Sequence, residues 1–319
     1  MTRITPSLFV STLLLCLPLA PAEAQLARTF VSAATGNDAN NCDRPTPCRT
    51  FQVAHNNTLA NGEITVLDPG GYGAVSINKT ISIINDGVGE AGTLVSGGLI
   101  GISISAGAAD TVSLRGLTVK GIGFGGGNGI VFNSGKSLTI ENCSIRNLTG
   151  AMNIGNGILF QPSAISRLAI SNTFVADNSQ HGIWVAPIGM GMAKVVLNHV
   201  ETYDNSGNGI FFAPATNGAT IKATVMDSMS SNNSGSGIVA SSGIAGSIDV
   251  TVIRSTVANN DGAGLSSLGL GARIRFGLSS VIGNGTGLLA GNAFLDTYQD
   301  NNVAGNTSNG AVTGVVNHQ

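Results

Sequence analysis

The chain has 319 residues, 10% of them charged and 42% hydrophobic, with 45 glycines and a formal net charge of −2. Charged residues usually supply about a quarter of a chain and glycine about 7%, so this composition disfavours a helical protein and favours short strands joined by tight turns. Lysines and arginines are scattered with no basic block, which argues against nucleic acid as a partner.

Residues 1–24 read as a secretory signal peptide: Arg3, an apolar run to Leu19, then Ala22-Glu23-Ala24, with cleavage expected after Ala24. The run is too short for a membrane span, and no later stretch of about 18 apolar residues occurs. A secreted, extracellular or periplasmic protein that does not span a membrane is therefore expected. Residues 25–70 are expected to cap the longer segment 71–319. Within this cap Cys42 and Cys48 bracket CDRPTPC, and an oxidising compartment would close this loop with a disulfide. A metal site is the weaker reading there, since no second Cys/His pair stands nearby. Cys143, in LTIENCSI, reads as a small, partly buried side chain of a strand.

From residue 71 to 319 the chain repeats. Glycines at 73, 101, 129, 157, 182, 209, 237, 264, 287 and 310 are spaced by 28, 28, 28, 25, 27, 28, 27, 23 and 23 residues. From Gly129 to Gly287 the next residue is always Ile or Leu. Asn178, Asn205, Asn233, Asn260, Asn284 and Asn306 precede their glycines by three or four residues. Upstream of these lie alternating apolar pairs: Leu168/Ile170, Val195/Leu197, Ala223/Val225, Val250/Val252 and Ile274/Phe276. A period of two means strand. A repeat of this size cannot close a core alone, so stacked coils are expected, with aliphatic columns inside. The asparagines would form an amide ladder, tolerating left-handed backbone, and the glycines would supply turn dihedrals.

The coils NSGNGIFF, NNSGSGIVA and NNDGAGLSS resemble those of right-handed parallel β-helix proteins of the pectin-lyase-like superfamily. The head RTFVSAATGNDANNC, continued by PCRTFQVAHNNTLANGEITVLDPGGYGAVSINKTISIIND, resembles that family's N-terminal cap. The resemblance implies an all-β, single-stranded right-handed parallel β-helix of about ten coils. It does not imply an activity, because one scaffold hosts lyases, hydrolases, epimerases and non-catalytic proteins. The family's catalytic patterns are incomplete here. Asn172-Thr173-Phe174, Gln180-His181-Gly182 and Arg273-Ile274-Arg275 lack the accompanying aspartates, and no Asp-Asp pair occurs.

Two carboxylate-bearing columns remain as catalytic candidates. Asp177 and Asp204 stand one coil apart, a spacing suited to a retaining glycosidase pair, to a shared Ca²⁺, or to a solvated corner. Asn172, His199, Asp227 and Arg254 form a second column, readable as an acidic-sugar site with a proton shuttle or as a surface ion-pair row. The glycine-rich segment from Gly121 to Gly129 lies between strands rather than before a helix, so it is not read as a phosphate cradle. No cofactor is expected, apart from the Ca²⁺ option.

An outward row should pass through Val131, Leu159, Trp184, Phe211, Val239, Ser266 and Leu289. An apolar stripe of this kind either binds a partner or is covered by loops, here 186–194 and 213–222 with Met190 and Met192 as lids. As a ligand site it would use Trp184 and Phe211, with His181 and Asn208 at its edge. The chain is therefore read as a secreted protein presenting a binding surface for polysaccharide or a cell-surface component. The alternatives are a lyase or glycoside hydrolase acting on an acidic polysaccharide, and a structural or adhesive surface protein.

Overall fold

The computed structural model describes residues 25–317 except 124, 125, 152 and 244. The expected signal peptide falls on residues 1–24, outside the described residues. Apart from one helix, Phe51–Asn57, the regular elements are strands, and all paired strands run parallel.

They form two sheets. One has ten strands, running in chain order from Val75–Ile77 to Ser308–Gly310. The other has twenty, in two lines that meet at a sharp bend. One turn of the chain runs through Ile165–Ala176, across to Ile183–Val185, and back to Met192–Tyr203, which pairs with the strand it started from. Each strand thus sits on its copy one coil earlier, as the repeat predicts. Between its first and last rungs the ten-stranded sheet has eight further rungs.

The expected inward residues form the core. Leu168, Ile170, Val195, Leu197, Ala223, Val225, Val250, Val252, Ile274 and Phe276 are all buried. On the opposite wall Ile130, Ile158, Ile183, Ile210, Ile238, Leu265 and Leu288 stack in register. Beside them Phe132 lies on Phe160 with ring centroids 4.5 Å apart. Each such side chain contributes about 1.5–3 kcal/mol of transfer free energy. The core is therefore a set of columns shared between coils.

The glycine marks act differently from expectation. Those from Gly101 to Gly287 are absent from the left-handed region. Their need is space: a Cβ on Gly182 would sit 2.7 Å from the Gly209 carbonyl oxygen of the next coil. The two terminal marks are slipped. Ala74, not Gly73, stands opposite Gly101, and Gly310 pairs with Leu288 rather than Gly287.

At the head of the solenoid, strand Leu26–Val31 pairs with Thr58–Val66, and the helix packs on both and on Val75–Ile77. A disulfide joins Cys42 and Cys48. Cys143 is a buried free thiol.

Candidate functional site

The asparagine ladder forms as read. The Nδ2 groups of Asn178, Asn205, Asn233, Asn260 and Asn284 each donate to Oδ1 of the next member, over 2.8–2.9 Å. Their backbone N–H groups donate to the same oxygens. The ladder members are not left-handed, however. The residues just before them are: Asp177, Asp204, Asn232, Asn259 and Gly283 have φ between 53° and 70°.

That backbone demand explains the first carboxylate column. Asp and Asn tolerate this conformation better than most residues. Asp177 accepts from Arg146 Nη2 at 2.7 Å. Arg146 lies one coil earlier, so this carboxylate is engaged on the side away from Asp204, which is exposed. Asp177 is thus engaged by Arg146, while Asp204 is left to solvent. Among the described residues no group of three or more His, Cys, Asp or Glu converges on a point that could hold a metal ion.

The second column is brought together. Asn172, His199, Asp227 and Arg254 all have φ between 47° and 52°, at the bend between the two lines of the larger sheet. Arg254 clamps Asp227 through Nε and Nη2, at 2.8 and 2.7 Å. This donation, chiefly, holds the Asp227 carboxyl below its usual range and raises the Arg254 guanidinium. His199 Nδ1 lies 3.0 Å from Asn198 Oδ1. His199, Asp227 and Arg254 line a solvent-facing groove of about 370 Å³ with Glu201, Ser228, Met229 and Thr256. A carboxylate already paired with a guanidinium is a poor proton acceptor, so His199 and Glu201 are the groups left for acid–base work.

The outward row is only partly a surface. Val131, Leu159, Val239 and Ser266 are buried, Trp184 and Phe211 are half-buried, and Leu289 is exposed. Val131, Leu159 and Ala186 form a second apolar cluster outside the sheet, with Ile100 and Trp184 against it. The expected methionine lids do not exist. Met190 is 84% exposed, and Met192 opens a strand of the other sheet. The loops take part through other residues: Ala186 of the first packs on Val131 and Leu159, and Ala213 of the second accepts from the Trp184 indole.

What stands clear is an aromatic trio. Trp184 and Phe211 pair in register with ring centroids 5.8 Å apart, and His181 lies 5.6 Å from Trp184 and 4.6 Å from Phe211. Trp184 Nε1–H donates to the Ala213 carbonyl at 3.0 Å, which fixes the indole. His181 and Asn208 are joined: the Asn208 backbone N–H donates to His181 Nδ1 at 3.0 Å. Burial pushes the His181 imidazole down to about 4. The ring is therefore neutral at pH 7 with Nδ1 as acceptor.

This bond belongs to a second ladder that sequence reasoning missed. Asn156 Oδ1 accepts from His181 N–H, Asn208 Oδ1 from Ser236 N–H, and Ser236 Oγ from Ala263 N–H. Its members are the residues immediately before the coil glycines, a position the sequence shows as Asn, His, Asn and Ser. A third ladder runs through Ser228, Ser255 and Ser279, whose hydroxyls accept from the backbone of the preceding coil. Cys143 occupies the equivalent place, its Sγ accepting from Leu117 N–H at 3.4 Å, and burial raises its thiol to about 11.

A charge pattern was also missed. Arg167, Lys194 and Lys222 pair in register on the outer face of the larger sheet, all exposed, and none makes an ion pair among the described residues. They are scattered in sequence but separated by one coil each, so folding lines them up.

The model of the right-handed β-helix region matches residues 100–308. No curated protein matches the chain. Among solved structures, the pectate lyase Pel9A superposes with TM-score 0.64 at 15% identity, covering 91% of this chain and 80% of that one. The GH136 lacto-N-biosidase from Eubacterium ramulus gives TM-score 0.50 at 14% identity, covering 92% and 67%. At these identities the likeness is one of fold. A family match over more than half of the residues, on a solenoid with these in-register ladders, settles the membership: the chain belongs to the right-handed β-helix family.

Proposed function

We propose that this chain is an exported protein that presents a carbohydrate-binding surface on the outer face of its ten-stranded sheet. The observation that carries the reading is the aromatic trio His181, Trp184 and Phe211, half-buried in a row whose neighbours are buried. Flat, rigid rings suit the apolar face of a sugar, and Asn208 beside them offers polar contacts. The Cys42–Cys48 disulfide and the apolar leader at residues 1–24 fit export. The pectate lyase and the lacto-N-biosidase are carbohydrate-active by name, which supports the class of ligand without specifying it.

The test is retention on a panel of immobilised neutral and acidic polysaccharides. Trp184→Ala should weaken binding to the preferred polymer about tenfold, the equivalent of about 1.4 kcal/mol. Binding that survives unchanged in Trp184→Ala and Phe211→Ala would overturn the aromatic site.

A second reading has its own observation. The His199, Glu201, Asp227 and Arg254 groove and the cation row of Arg167, Lys194 and Lys222 both lie along the larger sheet, where an acidic polysaccharide would meet charges of both kinds. Under this reading the chain is a lyase or hydrolase. New reducing ends or unsaturated products from an acidic polymer, lost in His199→Ala, would favour it over binding alone.

A further inference from the structure

A second pair of half-open rings stands on the same two coils as the trio. Phe174 and Tyr203 lie near the C-terminal ends of strands Ile165–Ala176 and Met192–Tyr203. Thr173, Val175 and Thr202 beside them are buried, so strand alternation sends the two rings outward. Their centroids are 6.1 Å apart and their planes 17° from parallel, and both rings are partly exposed. The register neighbours are not aromatic: Ser144 and Glu201 flank Phe174, and Ala176 and Ser231 flank Tyr203.

The polar groups at the edge of this pair set the chemistry of an occupant. Arg146, the nearest cation in register, lies 6.0 Å from the Phe174 centroid and donates to Asp177 at 2.7 Å, which cancels its charge. Glu201, in register with Phe174, and Asp204, next to Tyr203 in the chain, are exposed and make no ion pair among the described residues. The surroundings of the rings are therefore acidic. A uronate or sulfated unit would be repelled there, whereas sugar hydroxyls donate well to carboxylates. Flat rings bounded by acceptors suit an uncharged sugar.

Position joins this pair to the trio. Turns 177–182 and 204–209 carry the chain from these strands to Ile183–Val185 and Ile210–Phe212, where Trp184 and Phe211 stand. Phe174 and Trp184 thus share one coil, and Tyr203 and Phe211 the next. The row of Trp184 and Phe211 also loses its rings one coil away, at Leu159 and Val239. Two rows on different sheets therefore turn aromatic on the same two coils. The corner between them carries Ser179, Gln180, Ser206 and Asn208, none of them buried. A polar path with rings at both ends runs along the coils, across the solenoid axis.

We infer that Phe174 and Tyr203 form a second subsite for a neutral glycan, which crosses the asparagine corner from this pair to the trio. The inference rests on the carbohydrate reading of the trio. The probes are neutral oligosaccharides of glucose, mannose, galactose or xylose, each as disaccharide and hexasaccharide, titrated by calorimetry. A chain that reaches both subsites gains avidity, so the unaltered protein should bind at least one hexasaccharide about tenfold or more tighter than its disaccharide. Phe174→Ala with Tyr203→Ala should remove that advantage, and Tyr203→Phe, which keeps the ring, should retain it. Should the alanine variant fail to fold by circular dichroism, Phe174→Leu with Tyr203→Leu, which keeps bulk but loses the flat faces, takes its place. Binding weakened by Trp184→Ala but untouched by loss of Phe174 and Tyr203 overturns the second subsite and leaves the trio standing. No binding to any probe overturns both. Tighter binding to polygalacturonate or polylysine than to every neutral probe overturns the neutral occupant.

Discussion

His181 is held neutral by burial among Trp184 and Phe211, and its Nδ1 must keep a lone pair for the Asn208 amide. An unfolded histidine titrates near 6.5 and this one at about 4. Between those values the unfolded chain takes up a proton that the folded chain refuses. The stability linked to His181 is therefore complete above about pH 6.5 and falls as the pH drops to about 4, by at most about 3 kcal/mol and less because the ring is partly wetted. His181→Asn keeps an acceptor of the kind found at Asn156 and Asn208 but does not titrate. Chemical denaturation at pH 7 and pH 4.5 should show a smaller difference for this variant than for the unaltered protein; an equal difference would place the acid sensitivity elsewhere. The His-Gly pair was legible as a coil mark. Its ladder role was not, because a histidine can serve as donor, acceptor or ion, and only the neighbouring amide selects among these.

At the level of the coil, the buried asparagines hold the turns to one another. Asn233 accepts from the backbone and side chain of Asn205 and donates to Asn260. Asn233→Ala strands buried groups on both neighbours, at about 1–3 kcal/mol for each. Asn306→Ala should cost less, since its amide has as many partners but is only partly buried. Urea midpoints of the two variants check this ordering. Gly182→Ala should also destabilise, by about 1–3 kcal/mol, because the added carbon would press on the Gly209 carbonyl and the Asn205 amide. The alternation of apolar residues and the asparagine spacing made the strands and the ladder readable. The reason for the glycines was not readable, because close approach between coils is a distance between segments about 27 residues apart.

Over the whole molecule, stability is a sum of nearest-neighbour coil contacts, and the ends are its weak points. The Cys42–Cys48 bridge ties down the loop that pairs with strand Leu26–Val31. Closing so short a loop contributes about 2–3 kcal/mol. Reduction, or Cys42→Ala with Cys48→Ala, should lower the melting temperature and speed hydrogen exchange of Leu26–Val31 before the middle coils; uniform loosening along the solenoid would contradict this. The sequence by itself determined the architecture, the coil period, the inward columns, the main ladder and the disulfide. These arise from residue type repeated at a fixed spacing, and in a solenoid spacing along the chain is adjacency in space. The tertiary structure alone decided which outward residues are wet. It covered Val131 and Leu159 while leaving Trp184 and Phe211 half-open, turned Asp177 to Arg146, and aligned Arg167, Lys194 and Lys222. Those outcomes depend on side-chain direction and on turns of unequal length, neither of which a period encodes.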